Sequence, residues 1–382
     1  KEKVRSLIDG GPYTPEGARK AGLLDGVKHF RELTNSLEEQ TSGRFQLREE
    51  YAHKRAKPPS ISGPQALYKM FMGQRQKGGE KEDKDRAVAI IYALGPIVRR
   101  EPGDLAIGEY VTSAAVLRKV VGRVLDREEI KAAVVRVDSP GGSSLASEII
   151  WSELRRLNKS KPVIASMADT AASGGYYIAS AARTIYARPG TITGSIGVVG
   201  GKFVVKDLYR KLGLNVEAFD RGAHAGLLSS AKPFSESERD RMEKLLHHTY
   251  RTFLERVGAA RRMEVEAVRE VAAGRVWTGG QAKKRGLVDK LGGLRDAVLA
   301  AKKAAGIPAD KKVELLKYPR PRSIVDMLMG GGARTSSGTP RSLWPLAELP
   351  LGLERLKKCL AMLECFRGQP TAYVMPALVR VQ

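Results

Sequence analysis

The chain reads AAVVRVDSPGGSS at residues 132–144 and PVIASMADTAASGGYY at residues 162–177. Each stretch opens with a short apolar run typical of a buried strand and then breaks into a turn of small residues. Residues 144–157 and 173–182 have the pattern of helices. Because strands and helices continue to alternate to about Ala304, the sequence predicts an α/β fold with a mostly parallel sheet and flanking helices.

An internal repeat divides the chain. Residues 12–25 read PYTPEGARKAGLLD and residues 276–289 read VWTGGQAKKRGLVD, with six of fourteen positions identical. Chance is an alternative explanation, since Ala, Gly, Leu and Lys are common residues. We interpret residues 1–29 as the tail of an upstream module and residues 86–305 as the later module. The other predicted segments are a polar helical connector at 30–85, a closing strand and extension at 306–329, and a linker with a C-terminal tail at 330–382.

The chain is strongly basic. Its 382 residues include 66 Lys and Arg against 42 Asp and Glu, a net charge of +24, and 42% hydrophobic residues can supply a core. Such an excess favours an anionic partner, for which a phospholipid surface is our expectation. The other explanation is a highly basic proteome. We expect no nucleic-acid partner, because no basic motif is interleaved with aromatic residues.

The cysteine spacing and the hydropathy pattern indicate neither a metal site nor a membrane-spanning segment. Cys359 and Cys365 lie outside any metal-ligand spacing, so we interpret them as ordinary thiols and expect no metal and no cofactor. No apolar run approaches the ~18 residues needed to span a bilayer. The sequence begins at Lys1 rather than Met. We therefore expect a processed or partial sequence, from which a membrane anchor could be missing.

Two turns follow predicted strands, at the edge where open parallel sheets bind ligands. In the first turn, Gly141 and Gly142 could direct backbone N–H groups at a developing oxyanion. In the second, Ser173 opens a helix, and the Gly174 amide could join the same oxyanion hole. Taken singly, an SPGG sequence more often forms a tight turn without a function. A single serine at the start of a helix is likewise more often an N-cap. Two such turns about thirty residues apart favour an active site.

A nucleophilic serine needs a general base, and the residues leave its identity open. His224 is the histidine of the core's loop regions, with no acid identified to accompany it. A lysine with a pKa lowered by burial is the alternative, and Lys202, Lys206 and Lys232 are candidates by location.

The runs DSPGGSSLASEI, SMADTAASGGYYIASAA, ARPGTITGSIGVVG and GRVWTGGQAKKRGLVD, in this order, resemble the signal peptide peptidase A (protease IV) family over about residues 86–305. The resemblance implies a fold related to Clp protease and crotonase. It also implies a Ser-Lys dyad that hydrolyses peptides, including signal-peptide remnants, at a membrane. Ser173 takes the place of the family's nucleophile, Gly141 and Gly142 that of its oxyanion glycines, and Gly174 follows the nucleophile. Ser195 is expected near the substrate groove, or as a residue that shapes its loop.

The chain departs from the family's short, single-module members within RGAHAG, residues 221–226. Those members have the base lysine directly after this histidine, where the present chain has Ala225. Long, double-module members take the lysine from the first module, which agrees with the repeat. The resemblance therefore places the base upstream of Lys1 and predicts that the isolated chain is nearly inactive.

The long form of the family also implies a homo-oligomer at a bacterial inner membrane, facing the periplasm. Two other functions are alternatives to the peptidase. One is a catalytically silent scaffold of the same family. The other is a crotonase-type acyl-CoA enzyme, which shares the oxyanion glycines but uses no serine nucleophile.

Overall fold

A computed structural model describes residues 1–41, 86–100 and 110–319, together with the backbone of 372–374. Most of the predicted connector, the linker and most of the tail with both cysteines lie outside these residues. The chain divides into two compact units, one of Lys1–Pro12 with Asp85–Gln382 and one of Tyr13–Lys84.

The described helices are α1 (Glu2–Asp9), α2 (Pro15–Lys20), α3 (Phe30–Gln40), α4 (Ala114–Asp126), α5 (Ser144–Ser160), α6 (Gly174–Ala179), α7 (Lys206–Lys211), α8 (Glu236–Arg261), α9 (Val265–Val271), α10 (Gly279–Lys284) and α11 (Leu294–Ala304). The strands are β1 (Ala87–Leu94), β2 (Ile97–Val98), β3 (Thr112–Ser113), β4 (Ile130–Ser139), β5 (Gly141–Ser143), β6 (Val163–Ala172), β7 (Thr184–Ala187), β8 (Ile192–Gly194), β9 (Val276–Thr278), β10 (Lys290–Leu291), β11 (Glu314–Tyr318) and β12 (Ala372–Val374). Helices α2 and α3 belong to the smaller unit.

The main sheet has the strand order β10-β7-β6-β4-β1-β11, and every neighbouring pair in this series is parallel. Strand β8 pairs in parallel with the end of β6 and antiparallel with β9. The predicted fold class, a mostly parallel sheet with flanking helices, is confirmed.

Burial on both faces of the sheet explains its near-continuous apolar strands. In β4, Ala133, Val135 and Val137 lie in the larger core, which includes buried residues of α4, α5, α6 and α8. Ala132 and Val134 point to the opposite face and share a second core with residues of α11. Helices therefore cover the sheet on both sides, and its carboxyl edge is left to the turns that follow β4 and β6.

Two features differ from the sequence prediction. Strand β6 continues to Ala172, through residues that the sequence predicted as part of the small-residue turn, because its last residues pair with β8 from Thr170↔Ile192 to Ala172↔Gly194. A second, small sheet with the order β12-β5-β2-β3 was not predicted. Both differences arise from pairing between strands that are distant in the sequence.

The two copies of the repeat adopt the same local structure. Thr14 caps α2 by accepting a hydrogen bond from the Gly17 amide, and Thr278 caps α10 in the same way. Each helix is followed, after one C-cap residue, by a glycine with positive φ, +73° at Gly22 and +74° at Gly286. Local sequence thus specifies the same cap, helix and turn twice.

The copies differ in burial. Leu287 and Val288 of the second copy are buried in the main core, at 0% and 2% exposure. The equivalent Leu23 and Leu24 of the first copy are 49% and 45% exposed. The apolar pair of the second copy is thus anchored in a core. The described residues form no such core around the equivalent pair of the first copy.

Asp289, the last residue of the repeat, links α8 to the sheet. Its carboxylate accepts two hydrogen bonds from Arg261, at 2.8 and 2.6 Å, and a third from the Ile185 amide at 2.7 Å. Burial by itself would raise the pKa of Asp289, but the bonds from Arg261 and Ile185 outweigh it and lower the pKa.

We expect Asp289→Asn to lower the free energy of unfolding at pH 7 by about 2 kcal/mol, because Arg261 loses its ionised partner. The pKa of Asp289 is lower in the folded chain than its ordinary value of 3.8. The stabilisation by the ionised carboxylate is therefore fully present above pH 3.8 and is lost as the pH falls through the folded-state pKa. Urea unfolding should therefore show a smaller difference at pH 3 than at pH 7. The exposed Asp310→Asn serves as control and should change stability by less than about 0.5 kcal/mol.

Candidate active site

The two small-residue turns meet at the carboxyl edge of the sheet. A Cβ added at Gly174 would lie 3.2 Å from both Gly141 Cα and Gly142 N, and one added at Gly175 would lie 2.6 Å from the Ser139 carbonyl oxygen. The start of α6 therefore rests directly on the backbone of the first turn. The predicted convergence of the SPGG and ASGG motifs is present in the structure.

Ser173 stands at the junction of β6 and α6 in a strained conformation, with φ +53° and ψ −116°. Its amide donates to the Gly194 carbonyl at 2.8 Å, and its carbonyl accepts from the Tyr177 amide at 2.9 Å. The side chain is fully buried and makes no capping bond to α6. The Ser173 Oγ has no hydrogen-bond partner among the described residues. A purely capping role for Ser173 is thus excluded.

The predicted oxyanion glycines have backbones that other residues adopt only under strain. Gly141 has φ +104° and Gly142 φ +155°, and a Cβ on Gly142 would lie 2.2 Å from the Ile97 carbonyl oxygen. The Gly141 amide donates to Ser139 Oγ over a long 3.2 Å bond. A carbonyl oxygen that used the Gly141 amide would therefore have to displace the Ser139 hydroxyl.

Ser195 lies beside the nucleophile candidate, because it follows Gly194, the residue that binds the Ser173 amide. It has φ +49°, is 1% exposed, and its Oγ also has no partner among the described residues. A cavity of about 450 Å³ with mostly apolar walls opens at this serine. The cavity is lined by Ser195, Gly197, Val198, Val199, Glu243, Leu246, His247, Tyr250, Ala273 and Gly274.

His224 is engaged elsewhere. Its Nδ1 lies 2.7 Å from the Gly11 carbonyl oxygen, which can only accept, so this nitrogen carries the proton. The neighbouring Ala223 amide donates to Asp9 at 2.9 Å, and a Cβ on Gly222 would meet Ile8 at 2.8 Å. The RGAHAG loop thus holds the segment before Pro12, and no hydrogen bond joins His224 to Ser173.

None of the three candidate lysines bonds to Ser173. Burial lowers the pKa of Lys202, whose ammonium lies 4.4 Å from the centre of the Phe234 ring and 3.4 Å from the Gly226 carbonyl. Lys232 donates to Asp220 at 2.8 Å, and this bond raises its pKa. Lys206 opens the exposed helix α7. Within the described residues, the structure therefore brings no general base to the serine.

Sequence reasoning missed the brace that holds α6. The Tyr177 hydroxyl hydrogen-bonds to Glu148 of α5, and Glu148 in turn accepts from Arg256 of α8 at 2.7 Å. No local pattern could reveal this brace, since its three residues lie on three separate helices. The glycine- and serine-rich composition of the first turn did carry a signal for Ser139, the hydroxyl that binds the Gly141 amide.

The described residues hold no cluster of His, Cys, Asp and Glu suited to a metal ion. No helix in the same ranges is long and apolar enough to cross a membrane.

Comparison with known proteins places the sequence among peptidases. Residues 155–308 match the family described as Peptidase family S49. A chloroplastic serine protease SPPA from Arabidopsis thaliana is 37% identical over 90% of this chain and 49% of its own length. A putative protease from Synechocystis sp. is 37% identical over 61% of this chain and 82% of its own length. Protease 4 from Salmonella typhi is 36% identical over 69% of this chain and 41% of its own length. The chain thus spans about half the length of several curated relatives that it matches.

The contact between the two turns can be tested with one methyl group. Gly175→Ala should destabilise the chain by about 3 kcal/mol, because its Cβ would lie 2.6 Å from the Ser139 carbonyl oxygen. Gly190→Ala is the matched control, since a Cβ there meets no atom within 4 Å. Thermal and urea unfolding would measure both. Equal stabilities of the two variants would show that the turns do not meet as described.

Proposed function

Because this chain belongs to peptidase family S49, we propose that it is the serine-bearing part of a serine endopeptidase with a Ser-Lys dyad, in which Ser173 is the nucleophile. Its Oγ attacks a peptide carbonyl carbon while its proton passes to a lysine amine. The carbonyl oxygen becomes an oxyanion that accepts from the amides of this edge, for which Gly141, Gly142 and Gly174 are the candidates. The lysine returns the proton to the leaving amine, and water then hydrolyses the acyl-enzyme.

The strongest support is the state of the Ser173 side chain. A buried hydroxyl without a partner costs about 1–3 kcal/mol, and the backbone strain at Ser173 adds to that cost. Such a residue suits a nucleophile that awaits both a base and a substrate carbonyl. It does not suit a serine kept for packing.

We propose that the general base is a lysine of a module that precedes this chain. Two observations on the described residues support it. No lysine or histidine in them bonds to Ser173 Oγ. The first copy of the repeat exposes Leu23 and Leu24, whose equivalents Leu287 and Val288 are buried, as expected if another module's core receives them.

The substrates we propose are peptides at a membrane surface, including cleaved signal peptides, at the periplasmic face of a bacterial inner membrane. The net charge of +24 supports binding to an anionic phospholipid surface. No described feature favours the acyl-CoA or the scaffold alternative over the peptidase.

We also propose that the protein forms a homo-oligomer. The support comes from residues 199–228, called here the apolar arm because they expose apolar side chains. In this arm Phe203 is 70% and Phe219 92% exposed. Other apolar side chains of the arm that are at least 45% exposed are Val199, Val204, Leu208, Leu212, Leu214, Val216 and Leu228. An exposed apolar patch of this extent marks an interaction surface.

Labelling with a fluorophosphonate tests the nucleophile. In the protein that includes the preceding module, Ser173→Ala should abolish labelling and lower peptide hydrolysis by more than about 1,000-fold. Ser180→Ala, at the other end of α6, should label as the parent does. Equal labelling of the Ser173→Ala protein would refute the assignment. Turnover by the isolated chain would show that the base lies within it.

The oligomer can be tested by light scattering coupled to size-exclusion chromatography. Phe203→Ser with Phe219→Ser should reduce the mass of the assembly, because both side chains leave the proposed contact. Leu299→Ser is the control, since Leu299 is 40% exposed outside the arm. An unchanged mass for the double variant, with vesicle binding lost instead, would assign the arm to the membrane.

A further inference from the structure

A second cavity, the α11 groove, lies beside α11 and shares no lining residue with the cavity at Ser195. Its volume is about 460 Å³, within the range of ~300–1,000 Å³ that is usual for small-ligand sites. Ala297 and Ala301 of α11 pack into the second core, and the groove extends from this helix over β1 and β11. Its apolar walls are formed by Ile90, Leu294, Val298, Leu299, Val313 and Leu315.

The apolar walls are open to a ligand. Leu299 of α11 is 40% and Leu315 of β11 is 44% exposed, whereas Ile90 on the neighbouring strand β1 is buried. The backbone of β1 is already paired on both sides, with β4 and β11, and a helix satisfies its own backbone groups. A peptide in the groove would therefore bury amides without partners, while a hydrocarbon chain has none to bury.

The polar residues of the groove are mostly cationic. Arg295, Lys302, Lys311 and Lys312 line it, against one acidic residue, Asp310. Such an excess of positive charge around an apolar cavity attracts an anion. The groove is thus complementary to an amphiphile with an anionic head group.

Lys302 is the buried cation of the groove, with 5% exposure. Its ammonium donates to the Ala309 carbonyl at 2.6 Å and to the Lys311 carbonyl at 2.5 Å. An ammonium has three N–H donors, so these two bonds leave one for a ligand. Both acceptors are neutral carbonyls, whereas a buried charge is stabilised most by an opposite charge. An anionic head group at Lys302 would supply that charge.

We propose that the α11 groove binds a fatty acid, with its hydrocarbon chain against the apolar walls and its carboxylate on Lys302. The groove follows α11 from Leu294 to Lys302, a length of about 12 Å at 1.5 Å per residue. That length and the single buried ammonium suit one chain with one carboxylate. The site does not involve Ser173, so the inference goes beyond the proposed peptidase function and does not depend on it.

Isothermal titration calorimetry with dodecanoate, below its critical micelle concentration, tests the site in the complete chain. We expect one site per chain, and at least tenfold weaker binding of dodecyltrimethylammonium, which has the same hydrocarbon chain and a cationic head. Lys302→Gln keeps an N–H donor for the loop carbonyls but loses the charge, and should weaken dodecanoate binding about tenfold. Lys303→Gln is the matched control, because this exposed neighbour does not line the groove. It should bind dodecanoate as the parent does.

Leu315→Glu tests the apolar wall and leaves Lys302 in place. The added carboxylate would repel the ligand, so dodecanoate binding should weaken more than about tenfold. Leu291→Glu is the matched control, since Leu291 is 41% exposed on β10, at the opposite end of the main sheet. Circular dichroism would show that each variant is folded.

Unchanged affinity in both Lys302→Gln and Leu315→Glu would overturn the proposal, because the hydrocarbon chain would then bind elsewhere, as on the apolar arm. Equal binding of the cationic amphiphile would also overturn it. A parent chain that does not bind dodecanoate would reject the fatty acid and leave a protein segment as the occupant of the groove.

Discussion

The contact between the start of α6 and the turn after β4 is the constraint on which the site depends. Gly174 and Gly175 lie so close to Gly141, Gly142 and Ser139 that no side chain fits between the two backbones. The close approach fixes the residue before Gly174 at the end of β6, in a conformation that an L-residue rarely adopts. The packing of α6 and the Tyr177–Glu148–Arg256 brace must offset that strain. Position and strain at Ser173 therefore have the same structural cause.

The unpaired hydroxyls follow from this constraint. A serine at a relaxed helix N-terminus would turn its Oγ to a backbone amide, as Ser113 and Ser235 do in their helices. The backbone at Ser173 and Ser195 has positive φ, and neither Oγ finds a partner among the described residues. Two buried hydroxyls without partners, next to each other in the fold, are expensive for a structural element. They are reasonable where a base and a substrate complete the hydrogen bonds.

Sequence alone predicted the elements whose pattern is local. Strand β4 was predicted closely because burial on both faces makes it a continuous apolar run, and the glycine-rich turns marked the edge where Ser173 and Gly141 meet. The pairing of β5 with β2 and β12 could not be predicted, because a strand of three small residues has no hydrophobic period. The contact of His224 with Gly11 was equally hidden, since it joins residues more than 200 positions apart.

The repeat separates what local sequence decides from what tertiary context decides. Both copies form a threonine-capped helix that is followed by a glycine of positive φ, so those features need only the local sequence. Burial of the following apolar pair needs a core, and only the second copy has one among the described residues. The same distinction applies to Ser173. The chain's own turns specify its position and strain, whereas its base, in our proposal, depends on context. In the arrangement we propose, a single preceding module supplies both missing parts, the core for Leu23 and Leu24 and the lysine for Ser173.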